Sequence, residues 1–222
     1  MTTISVVTNV EAFNWNVVIV GHWNRAILTP AGIAYRLFKL PKDTPVQIEV
    51  PLDGLAPYRV KHGPVVITAQ SAKLNIFTES PSYENLQIAL QIASTALNDL
   101  PETPVQAAGF NICYRIENIP EVILGYIKSE MDEALSDEGY QISTRVLRRS
   151  IQWHQGHINI EVSCDEQSLG IVSLNFEMES GNTKDLITWV NTPIEQIKKT
   201  ATDIFEKVLM LAIQEVNNEK SD

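Results

Sequence analysis

Apolar and polar positions follow two periods along this chain, near two and near 3.6, and the switches between them lay out the elements. Residues 13–20, FNWNVVIV, are β-branched and aromatic and predict a strand. Gly21 and His22 interrupt it, and residues 23–28 read as its continuation past a bulge. Thr29-Pro30 opens a short helix as N-cap and first helical position, with Ile33, Leu37 and Phe38 on one face and Pro41 beyond its end. Alternation over 46–50, then 58–60, 65–69 and 73–78, with turns at 51–54, 62–64 and 70–71, predicts an antiparallel meander. Ser82 caps a helix to about residue 100, in which Leu86, Ala89, Leu90, Ala93, Ala96 and Leu97 recur at three- and four-residue steps. Pro101 stops it, and a strand follows over 105–117.

The second half repeats this alternation of periods. Asn118 and Pro120 open a predicted helix over 120–138, with Val122, Ile123, Tyr126, Ile127, Met131 and Leu135 as its apolar stripe and Gly139 as its stop. Three strands are predicted at 141–151, 157–164 and 169–179; in the last, Val172, Leu174, Phe176 and Met178 alternate with Ser173, Asn175, Glu177 and Glu179. A short helix over 183–190 precedes the longest predicted helix, 193–217, where Thr192 and Glu195 have the spacing of a capping box.

Strands cluster, helices cluster, and the joining turns are short, which antiparallel pairing permits and parallel pairing does not. The expected fold is therefore α+β, with antiparallel meander sheets packed against long amphipathic helices. The chain divides into an N-terminal α+β half, 1–118, and a C-terminal helix–three-strand–helix half, 119–222, or forms one compact domain. A strand group followed by an amphipathic helix occurs at 44–99 and again at 141–217, the outline of an internal repeat.

Charge and composition narrow the function classes. The 222 residues carry 17 basic and 27 acidic side chains, a net charge of −10. Residues 1–111 hold 7 basic and 8 acidic residues, net −1, and residues 112–222 hold 10 and 19, net −9. The acidity belongs to the second half, either as solvated helix faces or as a surface for a basic partner. Binding to a nucleic-acid backbone is not expected, since each phosphate contact needs a cation. No apolar run has the length of a membrane helix, and the N-terminus has no signal-peptide pattern, so the expected location is the cytoplasm. Cys113 and Cys164, on predicted strands, read as buried thiols, with a disulfide between them left open.

No phosphate loop, nucleophile elbow or zinc-type spacing occurs, so no catalytic residue and no cofactor is assigned. His154 and His157, in QWHQGHIN, have the one metal-like spacing; Cys164 and Asp165 lie seven extended residues on, roughly 23 Å, too far to complete the set. His22, Trp23, Asn24 and Arg25 stand together at a strand break, and Trp23 and Arg25 are residue types enriched in binding hot spots. The alternative is that Trp23 is core and Arg25 pairs with a carboxylate. Arg145, Arg148 and Arg149 form a basic cluster; they either pair with the acidic residues of 130–138 or meet an acidic ligand. Asp53 and Arg59 have the spacing of an ion pair.

From Tyr83 through Ile119, a helix leads into a strand bearing Gly109, Tyr114, Arg115, Asn118 and Ile119. This stretch resembles the end of an uncharacterised, widely scattered bacterial domain family, and no catalytic residue carries over from it; Arg115 is a binding candidate. The helix–three strands–long helix block resembles, by topology, the SecB-like export chaperones and their relatives, acidic oligomers that hold unfolded or partner chains. The absence of a catalytic motif, the exposed edges expected of a meander and the broad apolar face of the long final helix point to a non-enzymatic protein-binding module: an adaptor, a holdase-like chaperone or an antitoxin-type partner, acting on a protein partner or as a homo-oligomer. Two other readings stand beside it. One is a structural subunit of a phage- or defence-associated complex; the other is an enzyme with a dispersed site around His22 or the His154/His157 pair.

Overall fold

In the computed structural model, which describes residues 10–42, 44–52, 56–166 and 169–211, nine strands join into one antiparallel sheet. The chain runs β1 (Val10–Gly21), α1 (Pro30–Arg36), β2 (Gln47–Glu49), β3 (Arg59–His62), β4 (Val65–Ala69), β5 (Lys73–Thr78) and α2 (Tyr83–Asp99). It continues with β6 (Val105–Ile116), α3 (Glu121–Ile127), α4 (Glu130–Asp137), β7 (Thr144–Trp153), β8 (Gly156–Asp165), β9 (Gly170–Glu179), α5 (Thr183–Val190), α6 (Ile194–Asp203) and a π-helical turn, Ile204–Val208. The fold is α+β. Among the described residues no helix is long and apolar enough to cross a membrane.

Strand order is β2-β3-β4-β5-β1-β6-β9-β8-β7. The chain traces one unit twice: a long strand, a helical crossover, a meander that returns beside the long strand, then a helix. β1 and β6, the two long strands, pair with each other at the centre of the sheet. The junctions after the two meanders also match in sequence. Glu79-Ser80-x-Ser82-x-x-x-Leu86 and Glu179-Ser180-x-Asn182-x-x-x-Leu186 lie at equivalent places in the two units. Ser82 and Asn182 each cap the helix that follows, accepting from Asn85 N and Lys184 N, and both leucines are fully buried.

Period-two burial decides which face is covered. Trp15, Val17, Ile19, Phe110, Ile112, Tyr114, Val172, Leu174 and Phe176 point to the helix side and are buried there. α2 lies over β1, β4 and β5, while α5 lies over β6 and β9. Aromatic rings fill the layer between: Phe110 stacks on Phe176 at 4.7 Å, and Trp153 meets Phe176 and Trp189 edge-on at 5.0 and 5.2 Å. Edge and offset contacts of this kind add to what the buried ring area contributes.

Several element boundaries differ from the sequence expectation. Residues 23–28 are turns rather than a continued strand, because Trp23 folds its ring back and donates Nε1–H to Ile19 O at 3.1 Å. The helix expected over 120–138 breaks at Lys128, whose extended backbone (φ −68°, ψ 146°) separates α3 from α4. The capping box at 192–195 does not form. Thr192 Oγ1 instead donates to Trp189 O at 2.7 Å, satisfying a terminal carbonyl of α5, and α6 starts without a side-chain cap. The last helix passes into the π-helical turn and ends at Val208, with Met210 in the left-handed region at φ 55°. Residues 209–211 of the expected 193–217 helix are not helical, and 212–217 lie outside the described residues.

Candidate functional site

The helices leave one face of the sheet open, and the even-numbered residues of β7 together with the odd-numbered residues of β8, β9 and β6 point onto it. Across its centre runs a row of amides. Asn159 donates Nδ2–H to Asn175 Oδ1 (3.0 Å), Asn175 to Asn111 (2.9 Å), Asn111 to Asn16 (2.9 Å) and Asn16 to the Asn14 carbonyl (3.1 Å). The strand register makes this possible: Asn159, Asn175, Asn111 and Asn16 are direct cross-strand partners on β8, β9, β6 and β1. Every donor runs the same way, so the amide dipoles align and Asn159 ends the row. A second Asn159 bond, to Glu177 Oε2 at 3.0 Å, ties that end to a carboxylate.

Beside Asn159 lies a shallow hollow of about 440 Å³, lined by Ser150, Gln155, Gly156, His157, Glu177 and Glu179 as well as Asn159. It offers two carboxylates, one imidazole, one hydroxyl and amides, all able to hydrogen-bond. Arg148 and Glu161 pair across β7 and β8 at 2.6 Å on the same face. On β6, Cys113 Sγ lies 3.4 Å from Ser173 Oγ, and burial pushes its thiol pKa up.

The two candidate metal ligands do not converge. His154 occupies the β7–β8 turn at φ 52° and reaches toward the helices, its Nε2 2.7 Å from Gln196 Nε2 of α6. His157 stands opposite Glu177 on the open face. A spacing of three residues across a two-residue hairpin turn places the imidazoles on opposite sides of the sheet. Among the described residues no group of three or more His, Cys, Asp or Glu side chains is placed to hold a metal ion.

The other singled-out residues are dispersed. Trp23, read as a possible anchor, is 3% exposed and belongs to the core. Arg25 is exposed in the turn after β1, close enough to Tyr58 to oppose the upward shift that burial gives the phenol. His22 is exposed and joins Pro104 O through its backbone N–H at 2.8 Å. Arg115 pairs with Glu11 at 3.2 Å and lies over the Phe13 ring at 5.1 Å. Arg145 reaches back to Asp132 of α4 in an ion pair, whereas Arg148 pairs with Glu161 of β8, outside 130–138. Arg149 has no carboxylate partner among the described residues; its Nη1 donates to the Arg148 carbonyl at 2.8 Å. Arg59 pairs with Glu49 at 3.4 Å across β2 and β3, and Asp53, its expected partner, lies outside the described residues.

Cys113 and Cys164 are both free and buried. Cys113 faces Ser173 on the open side, whereas Cys164, beside Arg145 in register, faces the helices, so the sheet separates the two thiols. Burial, then the nearby Asp165 carboxylate, raises the Cys164 thiol pKa.

The amide row had a sequence signal that residue-type motifs overlook. Asn16, Asn111, Asn159 and Asn175 each sit mid-strand between two apolar residues, in W-N-V, F-N-I, I-N-I and L-N-F. A polar amide repeated at strand centres is costly unless its partners line up across the sheet.

No family model, curated protein or solved structure matches the chain.

Proposed function

We propose that this protein is a non-enzymatic protein-binding module, an adaptor, holdase-like chaperone or antitoxin-type partner, that works as an oligomer. The observation that carries this reading is α4. It is amphipathic in sequence, yet none of its eight residues is buried; Met131 is 67% exposed and Leu135 37%. Val122 and Tyr126 of α3 and Tyr140 after α4 are exposed as well. The second unit's crossover consists of α3 and α4; α3 buries Ile123 and Ile127, as α1 of the first unit buries Ile33 and Ala34, and α4 alone buries none. Clustered exposed apolar side chains on a globular chain mark surfaces that other chains cover.

The repeated strand–helix–meander–helix unit supports a SecB-like reading at the level of topology, which is a fold-level analogy. The test is light scattering coupled to size-exclusion chromatography, together with suppression of aggregation of a chemically unfolded test protein. The expected result is a mass of two or more chains and capture of the unfolded protein at micromolar concentration. Met131→Glu with Leu135→Glu abolishes one or both. A clean monomer that captures nothing overturns the proposal.

A further inference from the structure

The two edges of the sheet are built differently. At one end stands β2, three residues long and flanked by Pro45 and Pro51, a short edge that cannot extend. At the other end stands β7, ten residues paired with β8 without a register break. It contains no proline. Trp153 and Gly156 close the β7–β8 hairpin around a two-residue turn, a pair that exchanges hydrogen bonds in such hairpins. The odd-numbered residues of β7 therefore bond to β8. Thr144, Val146, Arg148, Ser150 and Gln152 aim their N–H and C=O groups outward. The Arg149–Arg148 contact agrees with this parity, since the carbonyl that Arg149 reaches is one of the outward ones. Among the described residues none of the other outward groups has a hydrogen-bond partner.

From the charges along this edge we infer that β7 receives an extended, acidic segment of a partner protein as a tenth strand. Arg148 is exposed on the open face and Arg149 on the helix face, and between Val146 and Gln152 the edge carries no carboxylate. Two neighbouring acids are already engaged: Glu161 with Arg148, one strand in, and Asp132 with Arg145, at the start of β7. Arg149 has no carboxylate partner among the described residues, and it occupies the Arg148 carbonyl that an added strand would need. A partner strand displaces the guanidinium from that carbonyl, and a carboxylate on the strand receives it. A neighbouring carboxylate on the strand, pointing to the other face, meets Arg148. A second copy of this chain fits less well. In antiparallel self-pairing centred on this strand, the two copies' Arg148 and Arg149 side chains are brought close together, and like charges across a ladder destabilise it. Val146 and Ile151, 50% and 40% exposed, gain cross-strand apolar neighbours from the added strand.

This rests on the protein-binding reading but names a different surface from α4. The probe is a fluorescent eight-residue peptide of alternating valine and threonine with two adjacent glutamates at its centre; a control peptide has lysines in place of the glutamates. The proposal expects saturable anisotropy with the glutamate peptide only, and slowed amide exchange at Arg148, Ser150 and Gln152 in the complex. Ser150→Pro removes an outward N–H that β8 does not use, and lowers affinity about tenfold or more. Arg149→Glu, which leaves the backbone edge intact, abolishes binding of the glutamate peptide and admits the lysine peptide. Equal binding of both peptides, unchanged affinity in both variants, or a dimer dissolved by Ser150→Pro overturns the proposal. A protein that holds unfolded chains yet ignores the glutamate peptide refutes the edge site alone and leaves the α4 reading standing.

Discussion

Replacing Asn111 by alanine tests whether the amide row is structural. Asn111 accepts from Asn175 and donates to Asn16, each at 2.9 Å, so Asn111→Ala severs both links and splits the row in two. Two hydrogen bonds contribute about 1 kcal/mol each, net of water. The Asn16 carbonyl is left without its donor on a residue only 7% exposed, so part of its desolvation cost is added. The expected loss is about 2–3 kcal/mol. For a chain of this size that lowers Tm by roughly 5–10 °C. Urea unfolding followed by tryptophan fluorescence measures it, with an unchanged m-value if the unfolded state is unaffected. A double-mutant cycle with Asn16→Ala isolates the pair, and a coupling of about 1 kcal/mol is expected. Asn159→Ala, at the half-buried end of the row, costs about 1 kcal/mol or less, because water replaces its partners. An Asn111→Ala variant within about 0.5 kcal/mol of the parent, or a coupling of zero, would show that the amides decorate the face without holding it.

Three other perturbations follow from the packing. A Cβ at Gly156 would lie 2.3 Å from Glu177 O and 2.9 Å from Trp189 Cη2, so Gly156→Ala destabilises by about 3 kcal/mol, read by urea midpoint; a neutral result would mean that the β8–β9 spacing is softer than drawn. Phe176→Ala removes a fully buried ring stacked on Phe110 and touched edge-on by Trp153, at a cost of about 4 kcal/mol; a loss below about 1 kcal/mol would refute the aromatic layer as a rigid core. Burial raises the Cys113 thiol above its ordinary value of 9.0, so the native state keeps it protonated where the unfolded chain ionises. Its contribution is fully present below that value and is lost as pH rises through the folded pKa. Stability should then fall between pH values of about 8 and 10 more steeply in the parent than in Cys113→Ala, and identical slopes would contradict the assignment.

The strands and α2 were legible because their periodicity is strong and their signals are local. Ser82 and Thr29 cap as their side chains and spacing imply, and the alternation over 169–179 maps directly onto buried and open faces. The elements that differ are those where a tertiary contact competes with local preference. Thr192 turns its hydroxyl to the Trp189 carbonyl of α5, which its own backbone N–H also joins, instead of capping α6. Trp23 is drawn under the sheet by burial, which ends the strand at Gly21. For the candidate site, sequence grouped residues that were close along the chain, as with His154 and His157. The amide row joins residues up to 159 positions apart, and only strand order brings them into register.

Because the chain uses one unit twice, differences between the copies separate what the topology requires from what it leaves available for other work. Both copies need a long central strand, a returning meander and a capping residue before the covering helix, and both have them. The edge and the crossover need not match, and there the copies diverge. In the first unit the crossover α1 is partly buried and the edge β2 is short and flanked by prolines; in the second, α3 is partly buried but α4 buries nothing, and β7 is long with no further strand beside it among the described residues. The charge divides the same way, net −1 for residues 1–111 and −9 for residues 112–222. Symmetric stabilisation would have given both ends the same protection, since an open edge and an exposed apolar helix each invite aggregation. Both liabilities fall in one unit, with arginines on the edge of the more acidic half, and the proposed binding role accounts for that asymmetry by assigning the partner to the second unit.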